Sequence, residues 1–242
     1  MSLASMVLFS LIVFLAAIVQ GISGFAFIMI VLIIFPYLFG YTEAIALASF
    51  IYLFVLYSNS FLYRKHIEWK FVPLWVVTFI LADSIGVIVL RLLGDSPIWY
   101  ILMGIIFVLI AFYLLFVQRK IRITPNTKNL ILFATLCGGI NGFFAVGGPI
   151  MATYFLTATP KKETYLGTTQ ILGVFTITID VIMRALSGMY TVDSIKIGIL
   201  GIVIAIFGLF IAKKLVSKMN EAHLHRIVCI VIFLSGIKML FF

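Results

Sequence analysis

Three charged residues stand where so apolar a chain has no ordinary use for charge: Asp83, Asp180 and Arg184. Asp83 lies deep inside an apolar run, 71–90. A carboxylate at the centre of a membrane costs about 2.5–3.5 kcal/mol on insertion scales, so such a residue points by default to a proton or ion pathway. The competing reading is a protonated acid bonded to a neighbouring helix. Asp180 and Arg184 are four residues apart, the spacing of an ion pair on one helical face. Ion coupling and a purely structural pair are both open to them. Glu43 and Glu163 begin apolar spans and read as first-turn carboxylates facing helix N-termini.

A second kind of chemistry is carried by backbone and neutral side chains. The stretch Cys137–Met151 contains Gly138, Gly139, Gly142, Gly147, Gly148 and Pro149 in an otherwise apolar setting. Glycine costs a helix roughly 1 kcal/mol per position and proline about 3, so the stretch predicts a broken helix. Freed backbone N–H and C=O groups cannot face lipid and must line an enclosed or watery cavity. A shorter echo, Gly21-Ile22-Ser23-Gly24-Phe25, matches Gly139-Ile140-Asn141-Gly142-Phe143 at four of five positions. Paired broken elements in corresponding halves mark the binding site of many transporters. Helix starts after Gly24 and Gly148 would aim N–H groups, with their partial positive charge, at an anion. Gln20, Ser23 and Asn141 add neutral hydrogen bonds, and Thr168, Thr169 and Gln170 form a polar patch in the following span. The candidate substrate site is therefore Gln20, Gly21, Ser23, Gly24, Gly139, Asn141, Gly142, Gly147, Gly148, Pro149, Thr168, Thr169 and Gln170. Against it stands close helix packing, which small residues also serve, and interhelical hydrogen bonding for the two threonines.

The elements that must position these groups are membrane spans. The 242 residues are 64% hydrophobic and 10% charged, with a mean hydropathy of +1.27. A soluble domain would be about 45–50% apolar and about 25% charged. The net charge of +9 sits in short clusters between apolar runs, which encodes topology rather than nucleic-acid binding. Residues 3–39 carry no charge. As one helix they would reach about 55 Å against a hydrocarbon core of about 30 Å, so pieces 3–19 and 25–39 are expected to form a re-entrant helical hairpin. Spans follow at 44–63, 71–90 and 98–117, then a basic linker, 119–128. A second hairpin is expected over 129–158, with spans at 164–183, 195–212 and 227–242. Residues 1–3 lack the basic region of a cleavable leader, so the first apolar segment is expected to remain.

These pieces form two repeats, 1–118 and 129–242. Glu43 falls on Glu163, Ser49 on Thr169 and Arg64 on Arg184 at an offset of 120; Gly86 falls on Gly208 and Arg91 on Lys213 at 122. Parallel repeats would divide the 17 Lys and Arg ten to seven. Inverted repeats, each hairpin returning to its starting side, put thirteen on one side and leave 91, 184, 196 and 238 on the other. The positive-inside rule selects the inverted arrangement, with both termini outside and loops 64–70, 119–128 and 213–226 cytoplasmic. The fold class expected is an all-α polytopic membrane protein forming a single membrane domain.

Signals for catalysis are lacking. His66, His223 and His225 fall in expected loops, and neither an H-E-x-x-H pair nor a phosphate loop occurs. A Gly-x-Ser-x-Gly elbow is also absent. No enzyme, metal site or cofactor is expected. Cys137 and Cys229 lie in apolar context and say nothing of redox compartment.

The chain resembles the sulfite exporter TauE/SafE family of membrane transporters. The resemblance lies in the duplicated architecture and in the glycine-rich segment opening each half: Gly21-Ile22-Ser23-Gly24-Phe25 with Pro36, and Gly138-Gly139-Ile140-Asn141-Gly142 with Val146-Gly147-Gly148-Pro149. Lys162-Glu163 with Gly167-Thr168-Thr169 adds to it. The first half has Ala26-Phe27 where the family has a richer glycine run. The resemblance implies export of sulfite, organosulfonates or related sulfur-containing anions from a prokaryotic cell across its plasma membrane. Expected partners are the small anionic substrate, the lipid bilayer, a coupling proton or Na+ and a second copy in a homodimer, with no nucleic acid. An anion channel and a transporter of small organic carboxylates are the alternatives.

Overall fold

The computed structural model describes residues 3–24, 26–118, 120, 123–159, 161–215 and 221–241, without the side chains of residues 22, 23, 62, 213, 215 and 221–225. The described chain is helical throughout. Helix α1 is Leu3–Ser23, followed by two short helices, α2 (Phe27–Val31) and α3 (Phe35–Phe39). Next come α4 (Tyr41–Tyr63), α5 (Val72–Leu93) and α6 (Pro97–Phe112), the last extended by a π-helical turn over Tyr113–Val117. The second half holds α7 (Thr127–Phe144), α8 (Gly148–Ala158), α9 (Lys162–Leu186), α10 (Val192–Leu215) and α11 (Glu221–Leu240). Six helices among the described residues are long and apolar enough to cross a membrane. Their outward faces carry large apolar side chains such as Leu81, Ile85, Phe112, Phe207 and Phe210, the surface that lipid requires.

Four pairings build the body: α5 on α7, α1 on α10, α4 on α9 and α6 on α11. Lipid supplies no hydrophobic drive between helices, so these contacts depend on close fit. Gly86 of α5 meets Gly142 of α7, where a Cβ would come within 2.9 Å of the facing Cα. Gly208 of α10 meets Ala17 and the Phe14 carbonyl of α1, and Gly104 and Gly236 pack against each other's carbonyl oxygens between α6 and α11.

Both expected helix breaks exist, but each falls later than expected. Helix α1 runs on through Gly21 to Ser23 and breaks at Gly24, making it long enough to span. The returning arm, expected as one piece over 25–39, is divided into α2 and α3, with Pro36 in the first turn of α3. In the second half Gly138, Gly139, Asn141 and Gly142 are all helical, contrary to the expectation that these glycines open the backbone. Gly138 lies against the Phe79 carbonyl and Gly142 against the Asp83 carbonyl, both of α5. That close approach offsets the helix cost of glycine. The chain leaves the helix only at Ala145, in the left-handed region with φ 55°, and re-enters it at Gly148. Pro149 suits this point, because in the first turn of α8 its missing N–H has no intrahelical acceptor to lose and its ring presets a helical φ.

Candidate functional site

Helix α5 brings Asp83 to its face against α7, where the side chain is 1% exposed. Asn141, one turn before the end of α7, donates from Nδ2 to Asp83 Oδ1 at 2.8 Å. Helix α9 supplies Asp180 and Arg184, both 0% exposed. Arg184 Nε lies 2.9 Å from each Asp180 carboxylate oxygen, and Nη2 lies 2.8 Å from Oδ1. The same Nη2 donates to the carbonyls of Asn141 at 3.3 Å and Gly142 at 3.2 Å. Those carbonyls belong to the last turn of α7, where the Asn141 carbonyl also accepts from the Ala145 N–H at 2.6 Å, and a cation there answers the helix dipole. The spacing of Asp180 and Arg184 anticipated their pairing. The position of Arg184 is a correction: expected at the start of a loop, it is buried in α9, because its pairing with Asp180 and the α7 carbonyls draws it inward. Two buried atoms of this cluster have no hydrogen-bond partner among the described residues, Asp83 Oδ2 and Arg184 Nη1.

One helical turn from the cluster lies a cavity with room for about two waters, its water-accessible core being about 30 Å³. Its wall is the second break itself, from Ala145 to Pro149, with Asn141 and Cys137 of α7. Opposite stand Ile28 and Met29 of α2, just past the first break, with Tyr52, Phe79 and Thr176. No lining side chain is charged. The polar surface is therefore backbone, amide, thiol and hydroxyl. The amides of Gly147 and Gly148 open α8, and the first N–H groups of a helix have no intrahelical acceptor. Cys137 closes one side of the break by donating from Sγ to the Gly147 carbonyl at 3.1 Å.

The first break is tied down by neutral groups. Gln20 donates from Nε2 to the Gly24 carbonyl at 2.9 Å and accepts from Phe27 N–H through Oε1 at 3.0 Å. Gln170 of α9 donates to the same carbonyl at 2.9 Å. Gln20 also reaches Tyr52 OH at 3.4 Å, and the Tyr52 ring stacks on Phe27. Through Tyr52 this network touches the cavity.

The structure thus divides the residues singled out from sequence. Asn141, Gly147, Gly148 and Pro149 line the cavity. Gln20, Gly24 and Gln170 form the first break. Gly21 meets Ala212 of α10, Gly142 meets α5, and a Cβ on Gly139 would touch nothing within 4 Å. Thr168 accepts from Glu68 N–H at 3.0 Å and so anchors the 64–71 segment, while Thr169 donates to the Tyr165 carbonyl of its own helix. The Ser23 side chain lies outside the described residues. Met29, Tyr52, Phe79, Cys137 and Thr176 line the cavity without having been singled out; in sequence they are ordinary members of apolar spans. Among the described residues no group of three or more His, Cys, Asp or Glu could hold a metal ion.

A family model described as sulfite exporter TauE/SafE matches residues 9–239. The chain belongs to the sulfite exporter TauE/SafE family. Comparison with curated proteins and with solved structures gave no match. Members of this family are membrane transporters, and with its six apolar helices the chain is a multi-pass integral membrane protein of that kind. Its working parts are then an anion pathway and whatever moves it between the two sides.

Proposed function

We propose that the chain exports sulfite, an organosulfonate or a related small sulfur-containing anion across a prokaryotic plasma membrane by alternating access. The observation that carries this reading is the cavity at the second break, walled by Asn141 and the Gly147–Gly148 opening of α8 and lacking any acidic lining. Fixed N–H dipoles suit an anion that must bind on one side and leave on the other, whereas a lining lysine or arginine would hold it by full charge.

Two inverted repeats, 1–118 and 129–242 about the 119–128 linker, would supply the alternation. Supporting this, the four main helix pairings map onto themselves when α1 is exchanged with α7, α4 with α9, α5 with α10 and α6 with α11. The charge bias that favours inversion gains from the burial of Arg184, which removes one cation from the poorer side. Loops 64–70, 119–128 and 213–226 then face the cytoplasm and both termini face outward. A homodimer is compatible with the lipid-facing surface.

Purified protein reconstituted in liposomes tests the function. Radiolabelled sulfite flux should saturate and should be competed by sulfonates. Flux rising linearly with concentration would mean a channel, and competition by acetate or lactate but not sulfonates would mean a carboxylate transporter. Asn141→Leu should weaken sulfite binding about tenfold or more, the equivalent of the ~1–3 kcal/mol of a lost buried partner. Leucine suits a membrane interior, so the variant should insert. Wild-type affinity in a monodisperse Asn141→Leu protein would remove Asn141 from the site.

A further inference from the structure

The buried cluster beside the cavity has a charge count that does not close. With all groups ionised, Asp83 and Asp180 contribute two negative charges and Arg184 one positive. An uncompensated buried charge is strongly disfavoured. One added proton makes the cluster neutral. Asn141 joins the two carboxyl groups, its amide holding Asp83 and its carbonyl accepting from the Arg184 that pairs with Asp180, and Asp83 Oδ2 is left without a partner among the described residues. Two carboxyl groups sharing one site hold a proton between them because both cannot ionise together.

We infer that Asp83 and Asp180, clamped by Arg184, form a single-proton site, and that its occupancy is coupled to anion binding in the cavity through Asn141. The coupling half of this inference rests on the transporter reading; the proton site does not. The groups facing Asp83 are Asn141 and the Cys137 thiol from α7, and Asp180 and Arg184 from α9. Tyr41 and Tyr190 are the further titratable groups beside Asp180 and Arg184. A proton is the ligand that fits, rather than Na+, because the guanidinium 2.8 Å from Asp180 already supplies the cluster's fixed cation. A metal ion there would face that charge directly.

The path is short. Phe79 and Thr176 line the cavity, and Asp83 and Asp180 lie four residues further along the same two helices, about one turn or 5.4 Å. On release the Asp83 O–H bond breaks, the electron pair stays on oxygen and the proton passes to cavity water; uptake reverses this. An ionised Asp83 repels an anion in the adjoining cavity, so proton and anion favour each other's binding, reciprocally. Asn141 connects them directly. Its amide holds Asp83 Oδ1, its side chain lines the cavity, and Arg184 holds its carbonyl. A newly ionised Asp83 competes for that guanidinium and loosens the last turn of α7 at the break.

Infrared difference spectroscopy of the reconstituted protein tests the proton site without any substrate. A protonated-carboxyl stretch should titrate away as pH rises, and both Asp83→Asn and Asp180→Asn should abolish it, the second because Asp83 then pairs with Arg184 as a carboxylate. Asp193→Asn, at an exposed position, should keep it. A wild type without such a band, or an Asp83→Asn protein that retains it, overturns the site. Coupling is read with methanesulfonate, whose own charge is constant with pH, as that of sulfite is not. Its affinity should rise about tenfold or more between alkaline and acidic pH, the size of one charge about 10 Å away at an effective dielectric constant near 20. In Asp83→Asn it should be flat and near the acidic wild-type value. Wild-type affinity independent of pH overturns the coupling. Failure of the wild type to move any sulfonate would count against the proposed substrate, while the infrared result still decides the proton site.

Discussion

Helix α1 and helix α7 end in the same backbone event and are finished by different chemistry. At Gly24 the chain turns with φ +85°, and two uncharged amides, Gln20 and Gln170, hold its carbonyl. At Ala145 it turns with φ 55°, and the carbonyls before it are held by Arg184, which Asp180 pairs and Asn141 links to Asp83. Sequence positions 120 apart carry the same contrast. Where α9 has Asp180 and Arg184, α4 has Ser60, bonded to its own backbone, and the next residues carry Arg64, whose guanidinium lies over the Phe61 ring near the surface. A neutral clamp holds one geometry at every pH. An ionisable clamp has at least two states. The second break lines the cavity directly, and the first reaches it only through α2 and Tyr52.

The largest effect should come from breaking the charged clamp. Arg184→Leu strips the buried Asp180 of its ion-pair partner and takes a donor from the Asn141 and Gly142 carbonyls, a loss of about 3–5 kcal/mol for an ion pair stripped of one member. Little folded protein should survive detergent extraction, as read by fluorescence-detected size exclusion. Arg64→Leu, at the matching position, should behave as wild type. Adding Asp180→Asn to Arg184→Leu should restore part of the folded yield, because it removes the orphan charge. Equal damage from Arg64→Leu and Arg184→Leu would erase the contrast between the two halves.

Next in size is the packing that brings Asn141 to Asp83. A Cβ on Gly142 would fall on the Asp83 carbonyl oxygen and 2.9 Å from the Gly86 Cα. Both obstacles are backbone and cannot rotate away. Gly142→Ala should cost about 1–3 kcal/mol, the range for overpacking, and should weaken anion binding along with stability. Gly139→Ala meets nothing within 4 Å and should be neutral or stabilise by roughly 0.5–1 kcal/mol through helix propensity. Thermal unfolding in detergent would separate them; equal midpoints would mean that α5 and α7 do not meet as described.

These two glycines also show what the sequence could and could not disclose. Five of the six apolar spans follow from hydropathy, the sixth, Leu3–Gly21, having been expected as a short hairpin arm in place of which 227–242 was read as a span; the two breaks follow from Gly24, Gly147–Gly148 and Pro149, because lipid and proline leave the backbone few choices. The Asp180–Arg184 pair follows from helical spacing. The helical state of Gly138 and Gly142 does not, since the missing Cβ that weakens a helix is also what admits a neighbour. Only the arrival of α5, from a distant part of the chain, decides between them. The bond from Asn141 to Asp83 spans 58 positions and leaves no local signal. Thr168 looked like part of a polar substrate face, but the Glu68 N–H that occupies it comes from a loop 100 residues away.

The smallest effect concerns the turning residues themselves. Gly24 and Ala145 both lie at positive φ, yet one is glycine and the other is not. For an L-residue this conformation costs about 1–2 kcal/mol. Gly24→Ala would take on that strain and set a Cβ 3.0 Å from the Leu166 side chain, so it should destabilise by about 1–2 kcal/mol. Ala145→Gly would release the strain but would also loosen the unfolded chain by roughly 0.4–1 kcal/mol. Its net effect on thermal unfolding should be stabilising by under about 1 kcal/mol. The more informative readout is anion binding. If the alanine holds the second break taut, so that α8 opens toward the cavity in one orientation, Ala145→Gly should weaken methanesulfonate or sulfite binding even while the protein becomes more stable. Gly24→Ala should do the opposite in kind, lowering stability with little change in affinity, because the first break is held by Gln20 and Gln170 and meets the cavity only through α2 and Tyr52. Parallel changes of stability and affinity in both variants would show that the breaks are equivalent, and that the charged residues near the second one do not set it apart.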